Sequence, residues 1–223
     1  MNSSHSLPAD IERTSLSILT AELAERGMVC PPETAAVVHR VIHATADFDY
    51  AQALRFTPDA VALGTAALSG GGTIVTDTNM AKAGLSKPAL ERLQSSAVCG
   101  MADAAVAAMA VQNGTTRAVA AMILAAERYP DAIFAVGNAP TALLQLADLV
   151  ERGLRPALII GVPVGFVNVV ESKERLWQVC VRCQVPAIVA MGRKGGSTVA
   201  AAICNALLYT AAGTLNPTDR GWQ

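Results

Sequence analysis

The chain is poor in charge, in aromatic side chains and in histidine, of which it has three. Its 17 lysines and arginines balance 18 aspartates and glutamates, for a formal charge of −1, which disfavours a general binder of nucleic acid or of membrane surfaces. The longest apolar stretch, residues 156–170, is broken by Gly161, Pro163 and Gly165, so no membrane span is expected. Any anionic ligand must therefore be bound by cations gathered at one place in the fold.

The cysteine and histidine spacings do not complete a metal site. Five cysteines, an odd number in a sizeable chain that shows no signal peptide, favour a reducing cytoplasm. Cys180 and Cys183 have CxxC spacing, but no second pair completes a zinc site. His39 and His43 are spaced as in HExxH, yet the glutamate and a third ligand are missing. We therefore expect no metal and no cofactor, with His39 partly exposed or facing a partner.

The composition and the order of apolar segments predict one α/β domain over residues 1–223. The chain is 52% hydrophobic but only 4% aromatic, so Ala, Val, Leu and Ile must build the core. Two early helices, followed by short apolar runs that alternate with longer helices, predict a five-stranded parallel sheet with helices on both faces. The predicted strands are Thr73–Asp77, Ala97–Cys99, Ala132–Val136, Pro156–Gly161 and Pro186–Met191. The ends, residues 1–9 and 216–223, are expected to be loose.

Three glycine-rich loops each follow a predicted strand and precede a helix: 137–140, 161–165 and 192–197. Ligands of parallel sheets bind beyond the carboxyl ends of the strands, where glycine permits close approach and helix N-termini present free N–H groups. Arg193 and Lys194 add two cations to the last loop. These features predict an edge suited to several carboxylates or phosphates. Because Gly196 occupies the position of the P-loop lysine, nucleotide binding is disfavoured.

Arg40 and His43 combine an anion-binding group with a proton-transfer group near the end of an early helix. They are three residues apart, so they share nearly the same helical face. Imidazole is the side chain whose unperturbed pKa suits proton transfer near neutral pH. A lone helical histidine is more often structural than catalytic, so the assignment depends on the rest of the chain.

At these residues the chain resembles the precorrin-8X methylmutase (precorrin isomerase) family of cobalamin biosynthesis. The matches extend over nearly the whole chain, and the strings GNAPTAL and GxPVGFV are quite specific to the family. The matching positions are 11, 12, 15, 40–43, 77, 80, 83–84, 116–117, 137–143, 161–167, 171–173 and 192–197.

The resemblance implies a flavodoxin-like fold, a homodimer and a site for a tetrapyrrole with many carboxylates. The implied reaction moves a methyl group from C-11 to C-12 of precorrin-8X or cobalt-precorrin-8, giving hydrogenobyrinate or cobyrinate without a cofactor. The family's catalytic histidine falls on His43, and its substrate-contacting serine and arginines fall on Ser15, Arg40 and Arg117. The loops add five candidate substrate-binding residues: Asn138, Arg193, Lys194, Gly195 and Gly196.

Two positions depart from the family pattern. Thr14 stands where the family usually has arginine, and Met191 where arginine often precedes the glycine. Either departure would weaken one carboxylate contact or shift it to a neighbouring cation. The matched motifs occur in both pathway branches, so they do not distinguish a cobalt-containing substrate from a cobalt-free one.

Two other functions use parts of the same pattern. A non-catalytic carrier that binds the corrinoid and hands it on would need the loops but not His43. An anion-binding regulator of the response-regulator type would need an acidic pocket at a strand end, which Asp77 alone does not supply.

Overall fold

The structure is a computed structural model that describes residues 7–220, with one six-stranded sheet in the order β1-β6-β5-β4-β2-β3. Strands β2 to β6 are parallel, whereas β1 is antiparallel to β6. The five predicted strands are all present. The strands are β1 (Leu54–Phe56), β2 (Thr73–Thr76), β3 (Ser96–Val98), β4 (Ile133–Val136), β5 (Leu158–Gly161) and β6 (Ala187–Ala190).

The prediction of five strands, all parallel, is wrong by one strand. Leu54–Phe56 forms the antiparallel edge strand, and its Leu54 pairs with Ala190. Only Leu54 of the three residues is buried, and Arg55 is exposed. A strand of three residues is too short to show an apolar run, so its existence depends on pairing with β6.

Helices cover both faces of the sheet, as predicted. The α-helices in the described part are α1 (Pro8–Glu25), α2 (Pro32–Thr45), α3 (Tyr50–Ala53), α4 (Ala60–Ser69), α5 (Asn79–Ala83), α6 (Lys87–Leu93), α7 (Ala104–Gln112), α8 (Arg117–Arg128), α9 (Pro140–Glu151), α10 (Val169–Cys183) and α11 (Ser197–Ala211). Two 3₁₀ helices add Gly100–Ala102 and Pro217–Arg220. None of the helices described between residues 7 and 220 has the length and apolarity to cross a bilayer.

Two separate apolar cores fill the spaces between the sheet and its helix layers. Successive strand residues alternate between them: Ile133 packs with α2, α4 and α11, and Phe134 packs with α8, α9 and α10. This alternation is the period-two geometry of a strand buried on both faces. Small residues bring the helices close, since a Cβ on Gly64 would lie 2.8 Å from the Leu158 side chain.

The ordered chain extends further towards both termini than expected. Helix α1 begins at Pro8, and Ala9 is buried. At the other end, the Arg220 side chain donates hydrogen bonds to the backbone oxygens of Thr214 and Leu215 and to the Glu12 carboxylate. These contacts fix residues 217–220, which a sequence reading of a polar tail cannot foresee. Residues 1–6 and 221–223 lie outside the described part of the chain.

Candidate active site

His43 and Arg40 project from α2 towards two residues of α1. The Ser15 Oγ lies 2.9 Å from His43 Nδ1, and the Glu12 Oε1 lies 2.5 Å from an Arg40 guanidinium nitrogen. Glu12 and Ser15 are three residues apart on α1, as Arg40 and His43 are on α2, so the two pairs form neighbouring contacts between the helices. Ser15 occupies one ring nitrogen of His43, while Nε2 has no hydrogen-bond partner among residues 7–220. The arrangement orients the imidazole and leaves one nitrogen available for proton transfer.

The surroundings of His43 favour the neutral imidazole when no ligand is bound. Burial is the main cause that lowers its pKa, and the positive charges of Arg40 and Arg220 lower it further. The negative charge of Glu12 opposes them. The lowering by Arg40 follows from its position three residues away on the same helical face, but the larger effect of burial was not visible in the sequence.

Arg40 is part of a buried triad of charges that the sequence did not reveal. The Glu12 carboxylate accepts hydrogen bonds from Arg40 and, at 2.7 and 2.8 Å, from Arg220. The side chains of Arg40, Glu12 and Arg220 are only 13%, 6% and 4% exposed. Burial alone would raise the pKa of Glu12, but the two arginines outweigh it and hold that pKa low. Arg40 therefore already binds one carboxylate and offers a substrate only its remaining donors.

An open groove of about 320 Å³ lies beside these residues. It is bounded by α2, α5 and the first turns of α11, and Arg40, His43, Met80, Ser197 and Thr198 are among its lining residues. The Thr78 and Ser197 hydroxyls are 2.7 Å apart and tie α5 to α11. The groove therefore brings His43 to the edge of the sheet where the parallel strands end.

The loop 137–140 is organised by a carboxylate from the neighbouring strand. Asp77 directly follows β2, and its oxygens accept hydrogen bonds of 2.8 Å from the backbone N–H groups of Gly137, Asn138 and Ala139. Burial raises the pKa of Asp77, although the three donors favour its charged form. These N–H groups are thus not free for a substrate carboxylate, contrary to the expectation from the loop sequence. Asn138 offers its exposed side chain instead.

The same hydrogen bonds argue against the regulator hypothesis. An acidic pocket at a strand end needs carboxylate oxygens that an incoming ion can reach. Asp77 is 2% exposed and is bonded to three backbone donors, so it belongs to the scaffold of the loop.

The loop 192–197 is held by its glycines and by a buried lysine. A Cβ on Gly195 would lie 2.2 Å from the Val162 carbonyl oxygen, and the Gly196 N–H donates to that oxygen at 2.8 Å. These two glycines therefore permit the loop to pack on the segment after β5. Beneath the loop, the Lys173 Nζ donates to the backbone oxygens of Gly192 and Lys194, each at 2.8 Å.

The two cations of this loop differ in their partners. The Lys194 Nζ lies 2.7 Å from an Asp47 oxygen and 2.6 Å from an Asp49 oxygen, and these partners raise its pKa. A substrate carboxylate would have to compete with both aspartates for Lys194. Arg193 is exposed, has no carboxylate partner within residues 7–220, and lies over the Phe166 ring at 5.6 Å.

Arg117 occupies the first turn of α8 at the same edge. The hydroxyls of Thr116 and Thr141 are 3.3 Å apart, which places the start of α8 beside the start of α9. Arg117 is exposed and makes no ion pair with any described residue. It is therefore available to bind a carboxylate, on the opposite helix layer from Arg40.

His39 and the two departures from the family pattern contribute no charge to this edge. Burial lowers the pKa of His39, which is only partly exposed. Met191 packs against the core formed with α8, α9 and α10, and Thr14 is partly exposed. Across the described residues, no group of three or more His, Cys, Asp or Glu side chains could hold a metal ion.

Exposed apolar side chains accompany the cations at this edge. Phe166 is 84% exposed, Val167 is 77% exposed, and Met80 is 69% exposed. Sequence reasoning used residues 161–167 as a family string and did not foresee an apolar surface there. Exposed apolar side chains, one of them in contact with Arg193, suit a ligand with a broad ring face and charged substituents.

Known proteins resemble this chain over most of its length. The family model for precorrin-8X methylmutase matches residues 10–210. A cobalt-precorrin-8 methylmutase of Salmonella typhimurium is 41% identical over 206 residues, which is 91% of this chain and 95% of that protein. A precorrin-8X methylmutase of Pseudomonas aeruginosa is 40% identical over 201 residues, 88% of this chain and 93% of that protein.

A solved structure agrees with the fold. The precorrin-8X methylmutase of Thermus thermophilus superposes with a TM-score of 0.84 at 42% identity, covering 92% of this chain and 97% of that one. The family match and the identities extend well beyond two thirds of the sequence. The chain therefore belongs to the precorrin-8X methylmutase family.

Proposed function

We propose that this chain is an isomerase of cobalamin biosynthesis that moves a methyl group from C-11 to C-12 of precorrin-8X or cobalt-precorrin-8. The single observation that carries the proposal is His43, held by Ser15 through Nδ1, with Nε2 beside an open groove and without a partner in the described part of the chain. The family membership and the names of the relatives support the same reaction.

His43 acts as a general acid in this proposal. The substrate's several carboxylates raise the pKa of His43 and overcome the burial and the arginine charges that lower it. The proton then moves from Nε2 to the macrocycle and biases its π system, the C-11–methyl bond breaks as the C-12–methyl bond forms, and the proton returns to Nε2. Positioned proton transfer of this type accelerates a reaction by about 10²–10⁴-fold.

Substrate binding in this proposal depends on side-chain cations. Arg117 and Arg193 are exposed without carboxylate partners in the described chain, and Arg40 lines the groove. Asn138 adds an amide, Lys194 joins when a carboxylate displaces its aspartates, and the backbone at Gly195 and Gly196 supports the loop. Phe166 and the other exposed apolar residues would contact the ring face of the substrate. The substrate's carboxylates would then fix its orientation, and its ring would supply most of the contact area.

We further propose a homodimer of single-domain subunits with a flavodoxin-like sheet. Numbered along the chain, the five parallel strands lie in the order 2-1-3-4-5, which is the flavodoxin order. Leu7, Ile11 and Ile18 lie on one side of α1 and are more than half exposed, an apolar stripe that a second subunit would cover. We also propose a cytoplasmic location, which the five free cysteines support.

The alternative, a carrier that binds the corrinoid without converting it, is separated by one experiment. Wild-type protein is incubated with precorrin-8X and with cobalt-precorrin-8, and absorbance follows conversion. The isomerase converts at least one of them with turnover. Binding of the product on gel filtration without any conversion of either substrate would establish the carrier instead. No observation on the fold or the site favours the carrier over the isomerase.

A further inference from the structure

Lys173 is a buried cation directly beneath the loop 192–197. It lies on α10, its exposed fraction is 0%, and its Nζ donates 2.8 Å hydrogen bonds to the Gly192 and Lys194 carbonyl oxygens. These two carbonyls flank Arg193. A single ammonium group therefore fixes the backbone on both sides of the exposed arginine.

No carboxylate neutralises Lys173 within the described residues. Arg193 and Lys194 of the loop are themselves cations, and the acids of the packed helix α9, Asp148 and Glu151, bind Arg175 and Arg182. The other charged groups near it in sequence are Glu171, Glu174 and Arg175 of its own helix, and none of them contacts it. Burial lowers the pKa of Lys173 to about 8.

Such a residue is costly for folding alone. Burying an ammonium group without a counter-charge is unfavourable, and an apolar side chain of similar length would fill the space without that penalty. Buried ionisable groups with shifted pKa values concentrate at functional sites. Lys173 lies beneath a loop that carries two adjacent candidate substrate-binding cations, so a role in that loop would explain why a buried charge is tolerated.

We propose that Lys173 is a positioning residue of the substrate site, which holds the Arg193 loop in its binding conformation and adds positive charge that attracts substrate carboxylates. This inference rests on the proposed function. The residue does not touch substrate, because it is fully buried. It acts through the two carbonyls and through its electric field at the loop surface.

The two effects of Lys173 can be separated by pH. An uncharged amine still carries two N–H donors, enough for the two carbonyls, so loss of the proton removes the charge but keeps the loop geometry. Bound carboxylates raise the pKa of Lys173, so affinity is fully developed below the pKa of the free protein and falls as pH rises above about 8. In the free protein His43, whose pKa is lowered, titrates below this window, and Lys194, whose pKa is raised, titrates above it. Bound carboxylates raise the pKa of His43 as well, so only the part of the pH dependence that Lys173→Met abolishes is assigned to Lys173.

The test measures the affinity for hydrogenobyrinate and the values of kcat and KM between pH 6.5 and 9.5 in four proteins. Wild type should lose roughly tenfold in affinity across this range, the equivalent of one full charge contact. Lys173→Met should bind about tenfold more weakly at pH 7, mainly through KM, without a step near pH 8. Lys173→Arg, which stays charged, should bind more tightly than Lys173→Met and also lack the step. Arg175→Met, which removes an exposed cation from the same helix, should behave as wild type.

Thermal unfolding distinguishes this role from a structural one. Lys173→Met removes a buried charge but also two hydrogen bonds to the loop, so its unfolding temperature should stay close to that of wild type while its affinity falls. If Lys173→Met binds as well as wild type and wild type shows no step near pH 8, the inference is wrong although the proposed function stands. If wild type neither binds nor converts either precursor, the proposed function itself fails.

Discussion

Replacing Glu12 by glutamine removes the negative charge between two buried arginines while it keeps the shape of the side chain. In the wild type, the Glu12 carboxylate pairs with both Arg40 and Arg220, and all three side chains are at most 13% exposed. Removing one partner of a buried ion pair leaves uncompensated charge and costs about 3 kcal/mol in free energy of unfolding. For a chain of this length the melting temperature should fall by roughly 6–12 °C.

The pH dependence of this loss identifies its origin. The pKa of Glu12 is lowered in the folded state from an ordinary value of 4.5, so its contribution is fully present above pH 4.5 and is lost as pH falls through the folded pKa. The difference between wild type and Glu12→Gln should thus be largest at neutral pH and narrow below about pH 4.5. Since the Glu12 charge raises the pKa of His43, the variant should also shift the alkaline limb of the activity profile to lower pH.

Urea unfolding at pH 7 and pH 4 measures the effect on stability, and kcat/KM against pH measures the effect on His43. Glu22→Gln is the matched control, because Glu22 forms an exposed ion pair with Arg26 one helical turn away. Exposed pairs of this kind contribute roughly 0.3–0.5 kcal/mol. Equal losses of stability in the two variants would refute the reasoning, since burial would then make no difference.

Three further predictions follow from the site. His43→Ala should abolish conversion, measured by absorbance, yet retain the product on gel filtration, whereas His39→Ala should change neither; near-parental conversion by His43→Ala would contradict proton donation. Arg117→Ala should weaken hydrogenobyrinate binding about tenfold or more in a titration, and unchanged affinity in Arg40→Ala, Arg117→Ala and Arg193→Ala would show that the site is misplaced. Light scattering should report a dimer at micromolar concentration; a fully active monomer would contradict it.

The sheet was predictable because its central strands are continuous apolar runs bounded by turn residues. Residues 132–136 were predicted as a strand and form β4 over Ile133–Val136. Asn113 and Gly114, a pair of residues typical of turns, separate α7 from α8. By contrast, Leu54–Phe56 has only three residues, too few for an apolar run or a meaningful alternation, and it is an edge strand defined by its partner.

The loops of the site could be predicted from the topology of a parallel sheet, whereas the ion pairs between residues far apart in the sequence could not. The carboxyl ends of parallel strands meet at one edge, so loops 137–140 and 192–197 had to lie together. The partner of Glu12, Arg220, stands 208 residues away in the sequence. No spacing or periodicity relates such residues, and only the fold brings them into contact.

Asp77 explains why the groups that could bind an anion at this edge lie around the crevice and not at its centre. Among the parallel strands, the chain order reverses between β2 and β4, and there Asp77 already occupies the N–H groups that begin the loop before α9. A Cβ on Gly137 would also lie 2.8 Å from the Ser197 Cα, so the centre of the crevice is closed by backbone. A small single anion would find its usual central position filled.

The available cations lie around that closed centre. Arg40 comes from the helix layer of α2 and α11, Arg117 comes from the opposite layer, and Arg193 stands on the loop between β6 and α11. They match a broad ligand whose carboxylates are spread around a ring, with exposed Phe166 offering contact to the ring face. By occupying the backbone N–H groups at the centre, Asp77 removes a site for a small anion, and the remaining arrangement favours a large ligand with several carboxylates.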